Sequence, residues 1–160
     1  MEIKTIKIDI PEGLNIIIGQ SHFVKSIEDL YEILLGSSPS LKFGVAFSEA
    51  SGPCLTRYEG NDEALMKLAA ETSFSLSCGH TFVIFLKDGF PINVLNALKN
   101  CQEVCHIICA TANPLQVIVA ETEEGNGILG VIDGVKPKGI EKEEDKKARK
   151  ELLRRFRYKL

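Results

Sequence analysis

Glycine or proline stands beside side chains able to bind or transfer a polar group in several short stretches of this sequence. They are Gly19-Gln20-Ser21-His22, Glu49-Ala50-Ser51-Gly52-Pro53, Asp88-Gly89-Phe90-Pro91-Ile92-Asn93 and Thr111-Ala112-Asn113-Pro114. Each follows an apolar run. If those runs are parallel strands, the stretches meet at their carboxyl ends, the edge where open α/β sheets bind ligands. The gathered groups are then Gln20, Ser21, His22, Glu49, Ser51, Gly52, Asp88, Gly89, Phe90, Asn93 and Asn113. Amides read donors and acceptors on a base, a carboxylate accepts from ribose hydroxyls, and glycine N–H groups cradle phosphate. Phe90 offers a face for a flat ring. His22 is the candidate nucleophile, because an imidazole with a free ring nitrogen can take a phosphoryl group. Glu49 and Asp88 are the candidates to hold a metal ion or accept a hydroxyl proton. Against this stands the plainer reading, in which these are ordinary turn residues that bond their own backbone.

The other two histidines rank lower. His80, in Cys78-Gly79-His80-Thr81, starts a strand, so a parallel arrangement puts it at the edge opposite His22. His106 lies inside an apolar strand pattern and reads as a strand residue. Cys54, Cys78, Cys101, Cys105 and Cys109 make an odd number, which favours free thiols. Cys101, Cys105 and His106 lack a second ligand pair at zinc spacing, and cysteine in a buried strand is a small apolar filler. No Walker-type loop or protein-kinase triplet is present.

The elements that must position these groups follow from periodicity. Ile6, Ile8 and Ile10 alternate with Lys7 and Asp9, a half-buried strand. Pro11-Glu12-Gly13 then turns into the apolar run Leu14 to Ile18, and the pair reads as a hairpin. Phe23, Ile27, Leu30 and Leu34 form one face of a helix that begins near Ser26 and stops at Gly36. Strands are expected over 41–50, 81–86, 104–110, 116–120 and 127–133, the last two as a hairpin. Helices are expected from Asn61 to Ser73 and from Ile92 to Lys99, the latter with Pro91 at its first position. From Glu141 onward acids and bases interleave around Ala148, Leu152, Leu153 and Phe156, which reads as a surface helix lying on the body.

Strands alternate with helices at first, then strands follow strands. This order predicts a three-layer α/β/α sandwich with a mixed sheet. The chain has 160 residues, a usual length for a single domain spanning 1–160, with 141–160 as its C-terminal surface helix and tail. Apolar residues make up 44% and charged residues 26%, the balance of a globular protein. A net charge of −3 argues against a nucleic-acid partner. No apolar run reaches the ~18 residues of a membrane span, and Met-Glu-Ile-Lys lacks the pattern of a signal peptide. A cytoplasmic protein is expected.

The blocks Gly19-Gln20-Ser21-His22-Phe23, Glu49-Ala50-Ser51-Gly52-Pro53-Cys54, Asp88-Gly89-Phe90-Pro91-Ile92-Asn93, Thr111-Ala112-Asn113-Pro114-Leu115-Gln116 and Leu153-Arg154-Arg155-Phe156-Arg157-Tyr158-Lys159-Leu160 resemble the adenosine-specific kinase family over essentially the whole chain. Arg157 departs from the glycine expected before the tyrosine. The resemblance implies a compact α/β protein that binds adenosine or AMP and moves phosphate from ATP to adenosine. It also implies a phosphorylated histidine, and the junction pattern above places it at His22. ATP is the expected co-substrate, Mg²⁺ the presumed metal, and self-association into a homo-oligomer is expected. The competing reading is a non-catalytic adenine-nucleotide sensor, which the missing phosphate loop favours.

Overall fold

The computed structural model describes residues Met1–Leu160. In chain order the elements are β1 (Glu2–Ile8), β2 (Asn15–Ser21), α1 (Ser26–Ser37), β3 (Lys42–Ser48), β4 (Thr56–Gly60), α2 (Glu63–Leu76), β5 (Thr81–Lys87), α3 (Pro91–Lys99), β6 (Val104–Thr111), β7 (Leu115–Glu121), β8 (Asn126–Asp133) and α4 (Glu143–Arg155).

Burial demand decides strand position. Ile16, Ile17 and Ile18 of β2 and Phe82 to Leu86 of β5 are fully enclosed, so both strands need cover on two faces. They lie inside a five-stranded sheet of order β4-β3-β5-β2-β6. β1 has one apolar side and stays largely exposed. It therefore sits at an edge of a separate three-stranded sheet, β1-β7-β8, and pairs with β7, not with β2 as a hairpin. β7 and β8 do form the expected hairpin.

The architecture is an α/β sandwich. On one face of the larger sheet, Ile27, Leu30 and Leu34 of α1 and Val94 and Leu98 of α3 pack on Ile17, Phe43, Val45, Phe82 and Ile84. On the other face, Leu65, Ala69 and Leu76 of α2 join Ile8, Leu115, Val117 and Val119 of the smaller sheet over Ile16, Ile18, Val83 and Phe85. Each fully buried side chain of this size stabilises the fold by about 1.5–3 kcal/mol. Gly44 permits the close contact of α2, since a Cβ there would stand 2.2 Å from the Leu65 carbonyl.

Strand direction departs from expectation. Every strand pairing in both sheets is antiparallel. β2 and β3 run in the same sense but are not neighbours, because β5 lies between them and opposes both. β4 and β6 also run against the strand each pairs with. The carboxyl ends of β2 and β3 thus share one end of the sheet with the starts of β4, β5 and β6. The ends of β5 and β6 lie at the other.

α4 departs too. No residue of it is buried; Leu152 is 40% exposed, and Phe156, just past its end, 57%. Of the apolar stripe only Leu153 is half-buried. Its start is held locally, where the Lys142 N–H donates to Asp145 Oδ2 at 2.8 Å and Arg149 pairs with Glu141 at 3.0 Å.

Candidate functional site

The end of the sheet that carries His22 is tied together by main-chain bonds between loops. The Ser21 N–H donates to the His80 carbonyl at 2.9 Å, and the His80 N–H donates to Ser48 at 2.7 Å. The His22 N–H donates to the Glu103 carbonyl at 3.0 Å, and Glu49 N–H to Leu55 at 3.0 Å. His80 therefore joins the ends of β2 and β3 on the same side as His22, not at the opposite edge. Its φ is +59°, a left-handed value that costs a residue with a side chain some strain. Its ring stacks on Phe47, centroids 5.8 Å apart.

Beside these bonds sits a pair the sequence did not single out. Glu103, just before β6, is 7% exposed. Its Oε2 lies 3.3 Å from His22 Nε2, within ion-pair reach but without hydrogen-bond alignment, while Oε1 lies 3.9 Å from Lys25 Nζ. Lys25 is held mainly by Asp29, whose hydrogen bond raises the lysine above its ordinary value. The His22 side chain is 69% exposed. Glu103 Oε2 and Ser21 Oγ are both buried and have no hydrogen-bond partner. Buried polar atoms are nearly always satisfied, so two such atoms together mark the place.

Glu49 is fully engaged. Its Oε2 accepts the Leu55 N–H at 2.8 Å, and its Oε1 accepts from Arg57 Nε and Nη2 at 3.1 and 3.0 Å. The Leu55 backbone bond, helped by Arg57, holds this carboxyl below the usual carboxylate range. Glu49 thus fixes the loop that carries Ser51 and Gly52, both exposed, with Gly52 at φ +67°. Gln20 is exposed on β2, opposite Thr81 and His106.

Two clefts flank Leu55 and Thr56. One, of about 440 Å³, is lined by Ser48, Glu49, Cys54, Gly79 and Asn126 among others. The other, of about 660 Å³, lies between the start of α1 and β4, against Phe23, Lys25, Arg57 and Tyr58. Both volumes fall in the range of small-molecule sites.

The remaining expected site residues are at the far end of the sheet, because β5 and β6 run opposite to β2. There Asn93 Oδ1 accepts the Phe90 N–H at 2.9 Å and caps α3. Asp88 takes a φ of +59°, Gly89 packs against Leu41, and Phe90 is exposed. Asn113 Nδ2 and Thr111 Oγ1 both donate to Asp133 Oδ1, at 3.0 and 2.7 Å. Asp88, Gly89, Phe90, Asn93 and Asn113 are therefore not gathered with His22.

The structure brings Lys25, Arg57 and Glu103 to the His22 end. Only Lys25 and Asp29, four apart at a helix start, left a trace in the sequence. All five cysteines are free, and burial pushes the Cys78 and Cys109 thiols up to about 11. No group of three or more His, Cys, Asp or Glu side chains is assembled for a metal ion. No helix is long and apolar enough to cross a membrane.

Fold and site together define an α/β sandwich with a polar, cleft-lined end. The family model described as adenosine specific kinase matches residues 6–159. The crystal structure of the PH1918 protein from Pyrococcus horikoshii OT3 is 47% identical, with a TM-score of 0.95, over 99% of this chain and 98% of that one. No curated protein matches. The chain belongs to the adenosine-specific kinase family.

Proposed function

We propose that this protein transfers phosphate from ATP to adenosine through His22. The observation that carries the reading is the buried Glu103 carboxylate set 3.3 Å from the exposed His22 imidazole, next in sequence to Phe23 of the larger cleft. In the first step the lone pair of a His22 ring nitrogen attacks the γ-phosphorus of ATP, the bond to the bridging oxygen breaks, and ADP leaves with that electron pair. In the second, an adenosine hydroxyl attacks the phosphorus, the P–N electron pair returns to the ring, and the hydroxyl proton goes to water. AMP is the product. Lys25 and backbone N–H groups supply positive charge near the transferred oxygens, since positioning and electrostatics carry most of phosphoryl transfer. Glu49 is engaged by Arg57 and Leu55. Magnesium accordingly enters as part of the nucleotide substrate, on its phosphates. Asp88 and its neighbours are outside this reading.

A second reading makes His80 the acceptor, favoured by its left-handed backbone and its position at the same end of the sheet. Intact mass after incubation with ATP and Mg²⁺ separates the two. The wild type is expected to gain one phosphate, lost in acid and consumed on adding adenosine. His22→Ala should gain none and His80→Ala should still gain it; the reverse result assigns the phosphate to His80. No gain and no AMP formed, with AMP still bound, replaces both with a nucleotide sensor.

A further inference from the structure

We infer that Glu103 directs the phosphoryl group to Nδ1 of His22 and keeps it off Nε2. The inference rests on the reading that His22 carries the phosphate. Glu103 Oε2 is buried, has no hydrogen-bond donor, and lies 3.3 Å from Nε2. The nearest other cation, Lys25, is 3.9 Å from the opposite oxygen and is engaged by Asp29. A small tilt of the exposed imidazole turns the approach into an Nε2–H···Oε2 bond, the partner a buried carboxylate lacks.

Two consequences follow. A proton held on Nε2 leaves the lone pair on Nδ1, which has no partner within the chain and is free to attack. When Nδ1 bonds to phosphorus the ring becomes cationic, and the Glu103 carboxylate stabilises that charge. Attack through Nε2 instead sets a phosphoryl dianion against a buried carboxylate, which like charges oppose. The Glu103 main chain adds to the arrangement, since its carbonyl accepts the His22 N–H at 3.0 Å and fixes where the ring stands. Glu103 is a positioning residue in this scheme, acting through His22.

The test compares wild type with Glu103→Gln, a variant of the same shape that keeps the backbone bond and removes the charge. Each is labelled with ATP and Mg²⁺, the modified residue is located by fragment mass, and the ring isomer is read by phosphorus NMR of the denatured protein at alkaline pH. Thermal melts check that both are folded. The expected wild-type product is the Nδ1 isomer alone. Glu103→Gln should label about tenfold more slowly or worse, with the Nε2 isomer now present. Phosphate on Nε2 in the wild type overturns the inference. So does Glu103→Gln labelling at the wild-type rate on Nδ1 only. If His22 carries no phosphate, the underlying reading falls first and takes this inference with it, and the fragment mass shows which has failed.

Discussion

At one end of the five-stranded sheet, Asn93, Thr111 and Asn113 direct their polar atoms to the chain itself. At the other, Ser21 and Glu103 hold buried polar atoms with no partner. Both ends draw on the same small polar residues, glycines and prolines. The first end is explained by its own hydrogen bonds: a helix cap, and an aspartate that gathers two donors. The second leaves two buried polar atoms without a partner in the chain. A buried atom of that kind calls for an explanation of its own, and the one proposed here is a bound molecule that supplies the missing contact. Turn chemistry identifies a turn; in the function proposed above, the unpaired buried atom is what separates the site from a turn.

Breaking the far end should therefore cost stability and spare activity. Thr111 is 7% exposed, donates to Asp133 at 2.7 Å and accepts the Asn113 N–H at 3.0 Å. Thr111→Val keeps the shape and leaves both partners short of a bond. The expected loss is about 2 kcal/mol by urea unfolding, with AMP formation per folded molecule unchanged. A fall in turnover without a fall in stability would bring the far end back into the site.

How far this contrast was legible depended on burial and direction. The interior strands β2 and β5 stand out as apolar runs, and their central place followed from needing cover on both faces. Their direction did not, because a strand buried on both faces looks alike in a parallel and an antiparallel sheet. That ambiguity sent His80 to the wrong edge and Asp88, Phe90, Asn93 and Asn113 to the wrong company. β4 passed unseen because Thr56-Arg57-Tyr58-Glu59-Gly60 is a mostly polar edge strand with no apolar face to reveal it. Glu103 was invisible for a simpler reason. A lone acid before an apolar run gives no hint that it is buried, and only the packed chain sets it beside His22. The charge order of α4 was plain, whereas how little of its apolar stripe is covered is a property of the packed chain.

A smaller effect sharpens the near end. Glu49 is held below the usual carboxylate range by the Leu55 N–H and by Arg57. A depressed carboxyl stabilises the folded state when ionised in both states, so its contribution is present above the ordinary value of 4.5. It is lost as pH falls through the lower folded value. Glu49→Gln should melt below wild type at neutral pH, and the gap should close as the buffer is taken into strong acid. A gap that persists in acid would mean that the charge of Glu49 contributes nothing and only its shape matters.

The smallest expected change has the opposite sign. Ser21 is 1% exposed, its Oγ has no partner, and its N–H bonds the His80 carbonyl whatever the side chain. Ser21→Ala removes an unsatisfied hydroxyl and leaves the main-chain bond intact. Stability should hold or rise by up to about 1 kcal/mol, while AMP binding measured by calorimetry weakens several-fold. A gain in one against a loss in the other is the mark of a group kept for its ligand. Were Ser21→Ala to lose stability and keep its affinity, the hydroxyl would belong to the fold. The two ends of the sheet would then differ in geometry alone, with only Glu103 left to separate them.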